Sequence, residues 1–455
     1  MNLPAYPKYK ASGVEWLGEV PEHWEVKRGR FCMRVNPLTG KWRTLEDDDE
    51  VSFVPMDAVG EYGGLRLDVT KPLSEIGSGY TAFEDGDVVV AKITPCFENG
   101  KGALAQGLAN GVAFGTTELH VLRVTPTLEN RFLFYLTLSS SYRKTGEAEM
   151  YGAGGQKRVP PEFNKDFLTS LPPLDEQRAI ADFLDERTGK LDALAEKKRG
   201  LIEKLKEKRS ALISRTVTKG LPPEAAAQSG LPTDPKLKPS GIDWPGDIPE
   251  HWEAMPMKYL ATIGNGSTPN RDNSAYWEGD HPWLNSSVVN QETVTEADQF
   301  VTDLALRECH LPWIKPPAVL VGITGEGKTR GMATTLTIEA TINQHVAFLK
   351  PYAKRATVKF LRRVMDTAYE LLRSESEGGG STKGAITCSQ LSNTDIPLPP
   401  IPEQTAIADY LDRETAKIDR MIEKVEAALE KLAEYRTALI TAAVTGKIDV
   451  RKGAP

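Results

Sequence analysis

The sequence predicts an α+β protein: two tandem mixed α/β lobes joined by two long helices that form an antiparallel coiled coil, with pseudo-two-fold character. Three observations carry this expectation. First, the chain contains itself twice. The segment LPPLDEQRAIADFLDERTGKLDALAEKKRGLIEKLKEKRSALISRTVTKG from Leu171 aligns without a gap with LPPIPEQTAIADYLDRETAKIDRMIEKVEAALEKLAEYRTALITAAVTGK from Leu398, an offset of 227 (398 − 171). Second, both copies hold a heptad seam in the same phase, a pattern that points to coiled-coil pairing rather than burial in a globular core. Third, short β-rich runs between Gly, Pro and Asn clusters fill the rest, which is the punctuation of mixed α/β structure.

Residues 1–170 make the first lobe. Its lead-in, KASGVEWLGEVPEHWE from Lys10, recurs as KPSGIDWPGDIPEHWE from Lys238, an offset of 228 (238 − 10). The run Asp87-Val88-Val89-Val90-Ala91 reads as a strand and RFLFYLTLSSSYRK from Arg131 as a helix. A Gly-rich loop, YGAGGQKRV, and a proline pair follow. The spacer segment 171–220 places Ile180, Leu184, Leu191, Leu194, Leu201, Leu205 and Leu212 on its seam, with Arg187, Lys198 and Lys208 between them. Residues 176–218 would make a rod on the order of 60 Å at ~1.5 Å each, closed by Pro222-Pro223. The Pro/Ala-rich linker 221–235 is expected to be exposed.

The second lobe, 236–397, has a strand at Ala318-Val319-Leu320-Val321, a helix from Val358 (VKFLRRVMDTAYELLR) and a loop, EGGGSTKGAIT. The second spacer, 398–447, carries Ile407, Leu411, Ile418, Met421, Val425, Leu432 and Leu439, with Glu414, Ala428 and Tyr435 completing the register. Pro402 falls in its first turn, where proline is tolerated, and a tail, 448–455, ends the chain. The matched lengths of the spacers, with a lobe between them to return the chain, favour antiparallel pairing within the molecule.

Composition narrows the functional classes. With 455 residues, 40% hydrophobic and 26% charged, the chain is an ordinary globular sequence with length for several domains. No apolar run approaches the roughly 18 residues that span a bilayer, and MNLPAYPKYKASG lacks the pattern of a secretory signal. No membrane association is therefore expected. The scattered Cys32, Cys96, Cys309 and Cys388 form no zinc or disulfide pattern and fit a reducing cytoplasm. The net charge of −7 counts against a simple electrostatic nucleic-acid binder. Residues 1–170 hold 19 Lys+Arg against 23 Asp+Glu, partly through the run Glu46 to Glu50.

Gly322-Ile-Thr-Gly-Glu-Gly327-Lys328-Thr329 matches the phosphate-cradling G-x-x-x-x-G-K-[ST] loop of nucleotidases literally. That chemistry needs a helix to open at the Lys-Thr, whereas the residues that follow are β-branched and Gly-broken. The first lobe has VVVAKITPCFENGKGALA in the same place, with Ile93-Thr94 aligned to Ile323-Thr324 and Gly100-Lys101 to Gly327-Lys328. Both are expected to be strand–loop–strand hairpins with a lysine near the tip. There is no Gly-rich S-adenosylmethionine loop, no Asp/Asn-Pro-Pro-aromatic tetrad, no H-E-x-x-H and no G-x-S-x-G. His23 and His251, beside Trp24 and Trp252 in the repeated Pro-Glu-His-Trp, are expected to be packing elements. The chain reads as non-catalytic, without metal or cofactor of its own.

The repeated L-P-P-x-x-E-Q-x-x-I-A-x-[FY]-L-D segment resembles the specificity subunits of type I restriction-modification systems. So do the SGVEWLGEVPEHW-type lead-ins, Pro282-Trp283 and Asn343-Gln344. The resemblance covers essentially the whole chain. It implies two target-recognition domains, each reading one half of a split, asymmetric site on double-stranded DNA, held apart by the antiparallel helices. It implies two methyltransferase (modification) subunits that use S-adenosylmethionine, and restriction/translocase subunits that use ATP and Mg2+. Such partners would supply part of the positive charge this chain lacks. Between their matching ends the lobes diverge, with Thr116-Thr117-Glu118 and Lys92-Ile-Thr-Pro-Cys-Phe-Glu-Asn-Gly in one and Gly325-Glu-Gly-Lys-Thr-Arg in the other. Unequal lobes predict a non-palindromic site.

Base readout uses Arg or Lys for guanine and Asn or Gln for adenine, on loops that can enter a groove. The candidates are Gln156, Lys157 and Arg158; Ser381, Thr382 and Lys383; the hairpin residues Lys92, Lys101, Lys328 and Arg330; and Ser267, Thr268, Asn270 and Arg271. Lys354, Arg355, Arg362 and Arg363 are expected on a solvated helix face.

Overall fold

The computed structural model describes residues 4–38, 40–153, 155–325, 327–377 and 384–452. The chain divides into two compact units, Met1–Arg199 with Glu426–Pro455, and Gly200–Val425. Each unit thus joins one lobe to the first part of the long helix that follows it and the last part of the other long helix. The helices run Leu174–Lys219 and Ile401–Val444.

In the first unit an antiparallel four-stranded sheet has the order Met33–Val35, Leu119–Val124, Val88–Ala91, Gly102–Leu104. A second sheet has the order Thr70–Pro72, Glu50–Val54, Val112–Gly115, Thr81–Glu84. Strand Val88–Ala91 is apolar throughout because both of its faces are covered. Val88 and Val90 join the core of Phe132, Leu133 and Tyr142, while Val89 and Ala91 face Phe83 and Ala113.

The second unit repeats that logic with different strands. Its five-stranded sheet has the order Ala261–Asn265, Val346–Pro351, Ala318–Gly322, Ala333–Leu336, Thr293–Val294, and a three-stranded sheet has Gln299–Val301, Trp277–Leu284, Thr341–Ile342. Val319 and Val321 pack with Phe360 and Leu361, whereas Ala318 and Leu320 pack with Leu284 and Ile342.

The helix expected from Arg131 is broken into Asn130–Leu138 and Ser140–Ala148, while its counterpart Val358–Glu377 is continuous. Ser139 accounts for the break. Its backbone is extended (φ −65, ψ 146), its side chain accepts from Tyr142 N, and Ser140 N donates to Thr441 Oγ1 at 2.9 Å. The first long helix ends not at its prolines but at Gly220, and the second at Gly446, both left-handed (φ 83 and 73), a geometry that glycine adopts without penalty. The linker expected to be exposed is partly interior. Its helix Pro223–Gln228 places Ala225 and Ala226 in the core with Trp252 and Leu221, where their small side chains fit.

Within each unit the long helices run antiparallel. In the first, Leu184 shares a core with Ile440, Ala443 and Val444, and further along Asp192 Oδ1 meets Arg436 Nε at 3.2 Å. In the second, Arg209 Nε meets Asp419 Oδ1 at 2.9 Å, and Val217 and Leu221 share a core with Ile407 and Leu411. The two ion pairs are copies: their aspartates and their arginines each lie 227 residues apart (419 − 192 and 436 − 209).

The seam differs from the expected one at alternate positions. Ile180, Leu184, Ile407, Leu411, Ile418 and Leu439 are buried, and Leu191, Leu205, Leu212, Val425 and Leu432 are half-buried. Leu194, Leu201 and Met421, however, are 43–45% exposed. The protected residues are instead Thr188, Ala195, Ile202 and Arg209 on the first helix and Thr415, Ile422, Leu429 and Arg436 on the second, each one residue later. Adjacent apolar residues, as in Leu201-Ile202 and Met421-Ile422, make both phases look apolar. The polar members are satisfied locally: Thr188 and Thr415 each donate to the carbonyl four residues back, at 2.7 Å, and the arginines pair with aspartates. Among the described residues no helix is long and apolar enough to cross a membrane.

Candidate functional site

The repeated Glu-Gln of the helix motif fastens each lobe to its long helix. Gln177 accepts from Glu129 N (2.8 Å) and donates to Thr127 O (3.0 Å) and Pro172 O (2.8 Å). Gln404 repeats this with Thr357 N (2.8 Å), Arg355 O (2.9 Å) and Pro399 O (2.9 Å). The preceding glutamates hold the histidines, with Glu176 at 2.7 Å from His23 Nε2 and Glu403 at 2.8 Å from His251 Nε2. Each histidine is thereby tied to the helix motif. The closing lysines dock on the lead-ins: Lys447 Nζ donates to Leu17 O (3.2 Å) and Glu19 O (2.7 Å), and Lys219 Nζ donates to Pro245 O (3.4 Å). Signal for these roles was present in the repeat, but spacing alone does not say what a glutamine side chain bridges.

On this shared frame, loops converge at equivalent strand ends. In the first unit Lys92 N donates to Glu118 O (2.9 Å) and Val159 N to Lys92 O (2.8 Å). In the second, Ile323 N donates to His345 O (2.9 Å) and Ile386 N to Ile323 O (2.8 Å). Lys92 thus matches Ile323, one residue from the alignment expected from the hairpin sequences. Around Lys92, Arg158 donates twice to Glu118, from Nε at 2.9 Å and Nη2 at 2.8 Å. That hydrogen bonding holds the Glu118 carboxyl below its usual range. His120 is buried beneath, Nε2 on Val159 O at 2.8 Å, and burial lowers its pKa. Under the hairpin, buried Arg143 donates to Phe97 O (2.8 Å), and burial lowers its pKa to about 10.

At the matching place in the second unit the side chains are hydroxyls and an amide around one imidazole. Thr268 Oγ1 donates to Gln344 Oε1 (2.6 Å), Gln344 Nε2 lies 3.2 Å from His345 Nε2, and His345 Nδ1 lies 2.8 Å from Thr324 Oγ1. Asn343 is buried and accepts from His345 N (3.0 Å). The candidate list missed Gln344, His345 and Thr324; the sequence places Gln344 beside Asn343 but not against the 266–271 loop.

The other sequence candidates divide. Gln156, Lys157 and Lys328 are exposed, as are Asn270 and Arg271, the latter stacked on Trp277 at 4.1 Å and bonded to Gln299 (3.0 Å). Ser267 is bound into its loop through Cys309 O and Trp283 Nε1. Lys101 turns inward, donating to Met56 O at 3.1 Å. Arg330 is 4% exposed, covered by the chain at Gly384, so it does not project toward a groove. Ser381, Thr382 and Lys383 lie outside the described residues. Arg363, expected on a solvated face, is buried against Asp412 (2.8 Å), and Arg362 pairs with Asp366.

The 322–329 loop does not fit a nucleotide. Strand Ala318–Gly322 pairs antiparallel with Ala333–Leu336, so no helix opens at Lys328 to face phosphates. Among the described residues no His/Cys/Asp/Glu group could hold a metal ion.

Residues 249–431 match the family described as the type I restriction modification DNA specificity domain. Over 164 residues, 36% of this chain, the sequence is 40% identical to the type I restriction enzyme EcoAI specificity subunit of Escherichia coli, a match spanning 27% of that protein. Over 96% of both chains it is 23% identical to the putative type I restriction enzyme MjaX specificity subunit of Methanocaldococcus jannaschii. A solved structure titled "Structural basis underlying complex assembly and conformational transition of the type I R-M system" shares the fold at a TM-score of 0.66 and 20% identity, covering 94% of this chain and 99% of that one. The resemblance read from the repeated helix motif is borne out.

Proposed function

We propose that this chain, whose residues 249–431 match the type I restriction modification DNA specificity domain, is the DNA-recognition subunit of a type I restriction-modification complex. Each lobe reads one half of a bipartite, asymmetric site, and the paired helices set the spacing and scaffold two modification subunits. The chain itself performs no chemistry. Methyl transfer from S-adenosylmethionine belongs to the modification subunits, and ATP- and Mg2+-dependent translocation and cleavage to restriction subunits.

One observation carries this reading: a duplicated frame presents two different loop clusters at the same strand ends. An ionic cluster (Lys92, Glu118, Arg158) stands in one unit and a hydroxyl–amide–imidazole cluster (Thr268, Gln344, His345, Thr324) in the other. Identical frames hold the partners, and unlike clusters read unlike sequences. Exposed Gln156, Lys157, Asn270, Arg271 and Lys328 are the proposed groove and phosphate contacts. With a net charge of −7, the rest of the phosphate clamp falls to the partners.

Exchanging residues 1–170 for the first lobe of another member of the family tests the assignment. The half-site read by that lobe should change and the other stay fixed. A change in both, or in neither with activity retained, contradicts it. Lengthening both spacer helices by about four residues, ~6 Å, should widen the gap between half-sites by one or two base pairs.

A further inference from the structure

We propose that Gln344 reads an adenine in the half-site of the second lobe. The inference rests on the DNA-recognition assignment and adds the residue and base to it. Gln344 is exposed, yet both ends of its amide are held. Oε1 accepts from Thr268 Oγ1 at 2.6 Å, and Nε2 lies 3.2 Å from His345 Nε2. A neutral imidazole that accepts at Nε2 carries its proton on Nδ1, and Nδ1 is 2.8 Å from Thr324 Oγ1. Donors then run in one direction, from Thr268 through Gln344 and His345 to Thr324. The His345 backbone N–H is fixed in turn by Asn343 Oδ1 at 3.0 Å.

A carboxamide has two acceptor lone pairs and two N–H groups. Thr268 takes one lone pair and His345 one N–H, which leaves one acceptor and one donor on an exposed side chain. Adenine offers the complement in the major groove, an N6 amino donor beside the N7 acceptor, whereas guanine offers two acceptors. Holding the amide before DNA arrives removes part of the side-chain ordering cost of binding. The first unit has no such group in this place. Its residues at the positions of Gln344 and His345 are Thr117 and Glu118, the latter occupied by Arg158, so this amide contact belongs to the second lobe.

The test uses the full-length chain co-purified with its modification subunits and a library of randomised duplexes. The natural protein should require adenine at one position of the second lobe's half-site. Q344A should relax that position by roughly 5- to 150-fold in discrimination and leave the others intact. Q344E, which keeps the side-chain size and offers only acceptors, should move the preference toward cytosine, whose N4 group donates. A 7-deazaadenine duplex, lacking the N7 acceptor, should weaken binding by the natural protein and not by Q344A. Unchanged preference at every position in Q344A, with the natural protein selective, overturns the adenine contact and spares the recognition assignment. No selectivity in the natural protein removes that assignment and this contact together.

Discussion

Arg436 in the first unit and Arg209 in the second are copies of one residue, paired with copies of one aspartate, but their surroundings differ. The Arg436 side chain is 7% exposed and also donates to Tyr62 O at 3.2 Å, whereas that of Arg209 is 30% exposed. The glutamates that hold the histidines show the same contrast. Glu176 takes His23, the indole of Trp24 at 3.1 Å and Arg451 at 3.5 Å. Glu403 takes His251, and among the described residues the buried indole nitrogen of Trp252 has no hydrogen-bond partner. Duplication copied the residues, but their energetic weight is set by what each unit later packed around them. At these two places the first unit surrounds the copied group with more buried polar partners than the second does.

Removing these groups in pairs breaks or sharpens that contrast, with unit-resolved hydrogen exchange as the readout. Glu176→Ala strands a buried indole N–H and should lower the stability of the first unit by about 3 kcal/mol; Glu403→Ala should cost the second about half as much. Asp192→Ala leaves a buried guanidinium with one partner fewer and should cost ~1–2 kcal/mol. Asp419→Ala, at a solvent-screened pair, should cost less than ~1 kcal/mol. Equal costs within either pair would dissolve the contrast. Trp24→Phe and Trp252→Phe create similar cavities, so their difference isolates the indole bond, and the first should be worse by about 1 kcal/mol.

The smallest effect is one of pH. Burial raises the pKa of Asp412, but hydrogen bonds from Arg363 and Lys359 outweigh this and hold the carboxyl below its usual 3.8. A depressed carboxylate contributes stability that is present above the unfolded value and lost as pH falls through the folded one. Acidification below about pH 4 should therefore speed exchange in helix Val358–Glu377, and Asp412→Asn should remove most of that pH dependence. A pH response unchanged in Asp412→Asn would place the titrating group elsewhere.

What the sequence made legible follows from periodicity and repetition. The two helices, the doubled frame and the doubly covered strands at Val88–Ala91 and Ala318–Gly322 all leave one-dimensional signatures. The seam phase did not, because Leu201 and Ile202 are both apolar and the buried arginine at 436 reads as a surface charge. The candidate site was legible as a set of loops rather than as residues. Lys101 and Arg330 look like free cations in sequence, yet one bonds a carbonyl from residue 56 and the other lies under the chain at 384. Gln344 gains its meaning only from Thr268, which is 76 residues away.

The central claim is that two unlike lobes on one duplicated frame read two unlike half-sites. Mapping modified adenines across the genome of cells expressing this chain with its modification subunits tests it most directly. The account predicts one bipartite, non-palindromic sequence with a fixed gap between its halves. A palindromic site, a continuous one, or modification that does not depend on this chain would contradict it.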